Sequence, residues 1–211
     1  MNHKFVSYFQ KYDFHNLYKE LLNFCTVDLS AFYFDIRKDT LYCDSLDDPK
    51  RKSTILLLNI ILNSLLRWFA PILSFTTEEI YQLLFKNQKS IHLENFLTFP
   101  KSFHNEKLNK KWIELIKIRN LCNISIEEKR ASKVIGSSLE AEIKIYLDQN
   151  LESITKDIDF SELCITSKAE VNYENKIDVK VLTEKAKGTK CSMCWKINEK
   201  GCARSNCPQS S

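Results

Sequence analysis

Glycine is scarce in this chain, with only Gly136, Gly188 and Gly201 among 211 residues. Loops that cradle phosphates need closely spaced glycines, because their backbone N–H groups must approach the phosphate without a Cβ in the way. The sequence therefore excludes a Walker A loop, a dinucleotide-binding fingerprint and a collagen-like fold. Its 44% hydrophobic and 27% charged residues are those of an ordinary globular protein. Catalysis by this chain alone is not expected.

The first half of the chain has the apolar spacing of helices. From Phe14 to Cys25, apolar residues recur at i, i+3, i+4 and i+7, and Asp13 is suited to cap the helix. Leu29 to Leu41 predicts a second helical segment. Asp48 precedes Pro49 at a turn, and proline fits the first position of a helix.

The stretch from about Lys50 to Ala70 is apolar almost all round, which predicts the central, buried helix of a bundle. Pro71 should end that helix. Thr76 and Glu79 then match a capping box, so a further helix is expected to begin at Thr76 and to end near Phe85.

The second half mixes helical and strand patterns. Residues 105–130 predict a helix, and Leu139–Leu147 alternates between apolar and polar residues as a half-buried strand does. Leu163–Ile165 and Lys176–Leu182 are further candidate strands. The predicted fold class is therefore mainly α, with a helical bundle in 1–100, a small α+β module in 101–184 and a distinct C-terminal module in 185–211.

Four of the eight cysteines fall within 17 residues: Cys191-x2-Cys194-x7-Cys202-x4-Cys207. Four thiolates can surround one Zn²⁺ tetrahedrally and leave no position for water, so the expected site holds one structural zinc. No signal peptide or membrane span is evident, which favours the reducing cytoplasm, where clustered cysteines bind metal more often than they form disulfides. A redox pair at Cys191 and Cys194, and a tail without metal, remain alternatives. The other four cysteines are interpreted as small buried hydrophobic residues: Cys25, Cys43, Cys122 and Cys164.

The C-terminal module is basic. Residues 185–211 contain six basic residues and one acidic residue, Glu199, whereas the whole chain has a formal net charge of +4. A basic segment with Trp195 among its cations is a plausible RNA surface, combining base stacking with phosphate contacts. Two alternatives stay open: the lysines form a merely solvated terminus, and Trp195 packs as the small core of the metal module.

Several runs together resemble the anticodon-binding bundle of class I aminoacyl-tRNA synthetases, and in particular bacterial isoleucyl-tRNA synthetases. The runs that carry this resemblance cover nearly all of the chain in the expected order. They are Tyr12–His15, Asp28–Tyr33, Asp35–Asp39, Leu41–Cys43, Ala70–Ile80, Ile135–Ala141 and Lys190–Trp195. The family's catalytic ATP-binding motifs are missing from the chain. The resemblance therefore implies the C-terminal, tRNA-holding part of an enzyme that charges tRNA(Ile) with isoleucine using ATP.

The resemblance also assigns candidate residues and partners. The family's zinc ligands carry over to Cys191, Cys194, Cys202 and Cys207, although the family usually has a longer central spacer and a second C-x2-C pair. The expected partners are tRNA(Ile) and the catalytic portion of the synthetase, in the same chain or as a separate one. The candidate RNA contacts are Arg119, Arg130, Lys190, Trp195, Lys196 and Arg204.

Two other functions compete with this interpretation. One is a free-standing module that binds tRNA or a protein partner in trans. The other is an enzyme with a fused zinc ribbon, which would need a catalytic residue near the N-terminus. The Met1–Lys4 segment offers no such residue, and no paired carboxylates in an apolar pocket can be inferred.

Overall fold

The computed structural model describes residues 1–86, 89–202 and 204. The chain divides into two compact units: unit 1 contains Met1–Leu41 and Leu46–Phe103, and unit 2 contains Tyr42–Ser45 and His104–Ser211. Helices predominate, together with one three-stranded and one two-stranded sheet, which confirms the predicted fold class. Within the described ranges, no helix has both the length and the apolar character needed to cross a bilayer.

Unit 1 is helical. Its elements are α1 (Asn2–Gln10), α2 (Phe14–Asn23), a π-helical segment (Phe24–Phe34), α3 (Asp35–Cys43), α4 (Pro49–Phe69) and α5 (Ser74–Phe85). Two predicted helix starts are confirmed. The Asp13 carboxylate accepts a hydrogen bond from the Asn16 N–H at 3.3 Å, and the Asp48 carboxylate accepts from the Lys50 N–H at 2.8 Å. Pro49 occupies the first turn of α4, where its missing N–H costs nothing.

The core of unit 1 forms where α1, α2 and α4 meet. It contains the buried side chains of Phe5, Leu17, Leu21 and Trp68. The Phe5 and Trp68 rings pack edge to face with their centroids 4.8 Å apart, and the Trp68 indole N–H donates to the Asn2 Oδ1 at 2.9 Å. This arrangement buries a large apolar surface and still satisfies the indole donor.

The expectation that α4 is buried all round is wrong. Leu66 and Trp68 in its C-terminal half are buried. In its N-terminal half, however, four apolar side chains are between 38% and 65% exposed: Ile55, Leu56, Leu57 and Ile60. A single stripe of α4 suffices to pack against α2 and α5, so the remaining apolar face stays uncovered within the described part of unit 1.

The predicted capping box at Thr76 and Glu79 is also wrong, because α5 begins at Ser74 and its N-cap is therefore three residues before Thr76. The helix is capped by Leu73, which offers no side-chain oxygen. Instead, the Ser74 hydroxyl donates to the Ala70 carbonyl at 3.2 Å and the Thr77 hydroxyl donates to the Leu73 carbonyl at 3.0 Å. These hydrogen bonds satisfy two backbone carbonyls in the turn that precedes α5. The predicted end at Phe85 is confirmed.

Unit 2 combines a long helix with a small sheet. Its elements are α6 (Glu106–Ala131), β1 (Ala141–Asp148), α7 (Glu152–Thr155), α8 (Phe160–Leu163), β2 (Lys168–Glu174), β3 (Lys180–Lys185), β4 (Thr189–Lys190) and β5 (Ile197–Asn198). The strand order is β2-β1-β3, with β1 parallel to β2 and antiparallel to β3. Ile145 at the centre of β1 lies opposite Val171 and Val181. The strands β4 and β5 form a separate hairpin.

The alternating pattern of β1 is confirmed. Its apolar residues, Ala141, Ile143, Ile145 and Leu147, are fully buried, and the residues between them are half-buried. The helix α6 packs on β1 and β3, and the Ser125 and Thr183 hydroxyls meet across that contact at 2.8 Å. The strand predicted at Leu163–Ile165 is wrong, because α8 occupies that region and Ile165 adopts a left-handed φ of 56°. The other predicted strand begins only at Lys180.

Candidate metal centre and nucleic-acid interface

The first two clustered cysteines lie in the loop of a tight hairpin formed by β4 and β5. We call this segment, Thr189–Asn198, the metal hairpin. Thr189 and Lys190 in β4 pair with Asn198 and Ile197 in β5, and the segment between them turns sharply. The Cys191 N–H donates to the Lys196 carbonyl at 2.9 Å, and the Trp195 N–H donates to the Cys191 carbonyl at 3.0 Å. These bonds close the loop that carries the C-x2-C pair.

Three sulfur atoms meet beside this hairpin, two from its loop and one from the chain that follows it. The Sγ atoms of Cys191, Cys194 and Cys202 all lie within 4.8 Å of one another, and the three residues are buried. Gly201, with a φ of +88°, lies directly before Cys202 in a backbone conformation that favours glycine. The three sulfurs are brought together although seven residues separate Cys194 from Cys202 in the sequence.

The sulfur geometry fits a tetrahedral metal. The Cys194 and Cys202 Sγ atoms are 3.6 Å apart. Thiolates about 2.3 Å from a tetrahedral zinc lie about 3.8 Å from one another. The Met193 N–H also points at the Cys191 Sγ, at 3.4 Å, so a backbone dipole is available to stabilise a thiolate there. The donor set therefore fits a zinc ion.

The fourth predicted ligand, Cys207, lies outside the described residues. A different cysteine joins the three in the structure. Cys43 is buried in the same cluster, and its Sγ lies 4.0 Å from the Met193 carbonyl oxygen. The sequence indicated only a small buried side chain at Cys43. No local pattern links it to residues 150 positions further along the chain.

A buried serine ties the hairpin to the three-stranded sheet. The Ser167 hydroxyl donates to the Leu139 carbonyl, just before β1, and accepts a hydrogen bond from the Ile197 N–H in β5 at 2.6 Å. One side chain thus connects the central strand with the metal hairpin. The sequence offered no signal for this role.

The predicted RNA-contacting cations occupy different environments. The Arg119 Nε donates to the Leu163 carbonyl at 2.9 Å, and Arg204 forms an ion pair with Asp44. The Lys196 ammonium lies 3.4 Å from the Ser161 hydroxyl. All three side chains therefore make contacts within unit 2. Arg130 lies near the end of α6, where its guanidinium pairs with Glu127 at 2.6 Å and remains 45% exposed.

Trp195 and Lys190 form an exposed pair on the hairpin. The Trp195 side chain is 60% exposed, which rules out its packing as a small buried core. The Lys190 ammonium lies 6.0 Å from the centroid of the indole ring and 3.9 Å from Glu140. Trp195 adopts a φ of +63°, which is uncommon for a bulky residue.

A cleft of about 470 Å³ lies beside the metal hairpin. Its lining includes three lysines, Lys168, Lys187 and Lys200, and also Glu142. The Lys168 ammonium pairs with Glu170 at 2.6 Å and with Glu142 at 2.9 Å, and these two carboxylates raise the pKa of Lys168 above its ordinary value. The lining therefore carries three lysines and two carboxylates, Glu142 and Glu199.

Comparison with known proteins gives consistent matches. A family model described as the anticodon-binding domain of tRNA ligase matches residues 2–145. An isoleucine–tRNA ligase of Pelagibacter ubique is 64% identical over 204 residues, which are 97% of this chain and 22% of that protein. Isoleucine–tRNA ligases of Bradyrhizobium diazoefficiens and Rhodopseudomonas palustris are 40% and 37% identical, over 89% and 90% of the chain. The chain spans about a fifth of the length of these relatives.

Proposed function

Because the chain belongs to the anticodon-binding domain family of tRNA ligases, we propose that it holds the anticodon arm of tRNA(Ile) for an isoleucine–tRNA ligase. In this role the chain contributes binding and discrimination. Amino-acid activation and transfer to the tRNA take place in a catalytic portion, which is covalently joined or supplied as a separate chain. The proposed setting is the cytoplasm, where tRNA is charged.

The exposed Trp195–Lys190 pair is the observation that carries this proposal. An indole that is 60% exposed offers a stacking platform for a base. The adjacent ammonium, 6.0 Å from the ring centroid, offers a contact to a phosphate. Arg130, exposed on α6, is a further proposed phosphate contact. Arg119, Lys196 and Arg204 bond within unit 2 and, unlike Arg130 and Lys190, are only partly exposed, so we propose that they mainly hold the RNA-binding surface in place.

We also propose that the cysteine cluster holds one structural Zn²⁺. Cys191, Cys194 and Cys202 would supply three thiolates, and Cys207, outside the described residues, would supply the fourth. When bound, the metal would cross-link a hairpin whose own strand pairing is only two residues long on each side. Trp195 follows Cys194 directly, so the ordered loop would fix the direction of the indole and the distance to Lys190.

The proposal is tested by measuring the affinity of the chain for tRNA(Ile) and for the same tRNA with a swapped anticodon. The salt concentration must be fixed, because phosphate contacts make affinity depend strongly on salt. We expect a preference of about tenfold or more, which corresponds to about 1.4 kcal/mol. Equal affinity for both tRNAs would contradict anticodon recognition by this chain.

The contribution of Trp195 is tested with Trp195→Ala. Loss of one stacked base should cost about 1–3 kcal/mol of binding free energy, or roughly 5- to 150-fold in affinity. Leu182→Ala is the control, since Leu182 is 41% exposed on β3 and lies outside residues 2–145, which match the anticodon-binding family. If both variants bind tRNA(Ile) like the unmodified chain, Trp195 is not a stacking residue.

A further inference from the structure

Four residues from the first half of the chain belong to the unit that contains the metal hairpin. Tyr42–Ser45, at the end of α3, cluster with unit 2, whereas the preceding residues to Leu41 and those from Leu46 belong to unit 1. We refer to Tyr42–Ser45 as the corner. Within it, Cys43 is 7% exposed and packs in the buried cluster formed by the three metal-site cysteines.

The corner contacts the loop between the first two cysteines. The Cys43 thiol lies 4.0 Å from the Met193 carbonyl oxygen, to which it can donate a weak hydrogen bond. Met193 lies between Cys191 and Cys194, and its N–H points at the Cys191 Sγ. Cys43 is not among the three cysteines whose sulfurs lie mutually within 4.8 Å. Its geometry is therefore that of a support for the loop rather than a ligand.

The corner also contacts the chain just after the third cysteine. Asp44 forms an ion pair with Arg204, two residues beyond Cys202. The two side chains are only 18% and 19% exposed, so the pair is largely withdrawn from water. Removing one member of such a pair leaves the other charge in a poorly solvated position, which is costly. The corner thus contacts the cysteine-bearing chain on both sides of the site.

We propose that the corner is a non-ligating part of the metal site, in which Cys43 and Asp44 act as positioning residues for the three thiolates. Cys43 supports the Cys191–Cys194 loop, and Asp44 holds the segment after Cys202 through Arg204. The expected effect on metal affinity rests on the proposed function. The contacts of Cys43 and Asp44 themselves do not require an ion. Metal affinity should therefore depend on residues far from the cysteine motif in sequence.

The first test is the zinc affinity of the full chain carrying Asp44→Asn, measured by competition with a chromophoric chelator. We expect affinity to fall tenfold or more, because the segment after Cys202 loses its anchor. Asp47→Asn is the matched control: Asp47 is a neighbouring aspartate with an ion pair to Lys52, but it is 93% exposed. The charge-swapped variant Asp44→Arg/Arg204→Asp should recover part of the loss. Unchanged zinc affinity in Asp44→Asn would overturn the proposal.

The second test separates a supporting role for Cys43 from a ligand role. Cobalt can replace zinc as a probe, because the intensity of its thiolate charge-transfer absorption reports the number of bound sulfurs. In Cys43→Val we expect weaker cobalt binding with an unchanged spectrum at saturation. A lower intensity per bound cobalt would mean that Cys43 is a ligand, which would overturn its assignment as a positioning residue.

The third test needs no metal. In the chelator-treated chain, amide hydrogen exchange at Cys191, Trp195 and Ile197 should be at least tenfold faster in Asp44→Asn than in the unmodified chain. Exchange at Ile145 in β1 serves as the internal check that unit 2 remains folded. If the unmodified chain binds no zinc, the proposed metal function fails, and this measurement still decides the inference. Equal exchange in both chains would refute it.

Discussion

Gly188 is a position where one added methyl group should damage the metal hairpin. It precedes β4 and has a φ of +119°, a conformation that residues with a Cβ rarely adopt. A Cβ built there would lie 2.3 Å from the carbonyl carbon and oxygen of Asn198 and 2.6 Å from the Glu199 nitrogen. These are backbone atoms of the facing strand and the residue after it, so no side-chain rotation can relieve the overlap.

The expected cost of Gly188→Ala follows from this geometry. A backbone held in a sparsely populated region costs about 1–3 kcal/mol, and separating the two strands adds the loss of hairpin hydrogen bonds. We therefore expect at least about 2 kcal/mol. If zinc binds only the closed hairpin, this penalty lowers zinc affinity about 30-fold, because 1.4 kcal/mol is a factor of ten. Chelator competition measures that change directly.

Gly136→Ala is the matched control for this experiment. A Cβ at Gly136 would meet the Glu140 carboxylate oxygens at 3.6 Å, an ordinary van der Waals distance, and Gly136 does not have a positive φ. Replacing such a glycine is expected to be neutral or slightly stabilising, by about 0.4–1 kcal/mol. The reasoning is refuted if Gly188→Ala retains the zinc affinity of Gly136→Ala.

Three further predictions concern the core, acid stability and the metal. Ile145→Ala should lower the free energy of unfolding of unit 2 by about 2–5 kcal/mol in denaturant titrations, since Ile145 is fully buried, whereas Leu182→Ala, at a 41% exposed position, should cost clearly less. Hydrogen bonds from the Ser90 hydroxyl and the Gln82 amide hold the pKa of Glu78 below its ordinary value of 4.5. This carboxylate therefore stabilises the fold above pH 4.5 and loses that effect as the pH falls toward its lowered pKa. The difference in melting temperature between the unmodified chain and Glu78→Gln should shrink over that range. Finally, chelation should accelerate amide exchange in the metal hairpin and leave β1 protected, and acceleration throughout unit 2 would show that the metal also holds the sheet together.

The features that could be predicted from the sequence depend on near neighbours in the chain. The alternation in β1 gave the buried face of that strand, because a strand side chain points to the face opposite its neighbour's. The aspartate cap of α2 and the proline at the start of α4 were predictable because both act on backbone groups within the first helical turn. The sulfur cluster followed from a spacing of a few residues. In each case, the interaction that determines the structure lies within about ten residues.

One error arose where distant parts of the chain decide the outcome, and another where two local signals compete. The composition of α4 predicts a helix buried all round, but burial depends on how many other elements cover it, and unit 1 covers only one stripe. The capping signal at Thr76 was overridden because the preceding turn, from Ala70 to Leu73, already provides acceptors for the hydroxyls of Ser74 and Thr77. Local patterns cannot report the tertiary constraint on α4.

The metal hairpin combines both kinds of determinant. Its turn geometry and sulfur spacing are encoded within Thr189–Cys202, so the motif is recognisable on its own. Its attachments are not: Ser167 joins it to the sheet, and Cys43 and Asp44 join it to the corner. The ligands determine which ion binds. The attachments determine how much of the metal hairpin must still become ordered when the ion binds. Substitutions at the attachments should therefore change metal affinity without changing the coordination spectrum, and substitutions at the cysteines should change both.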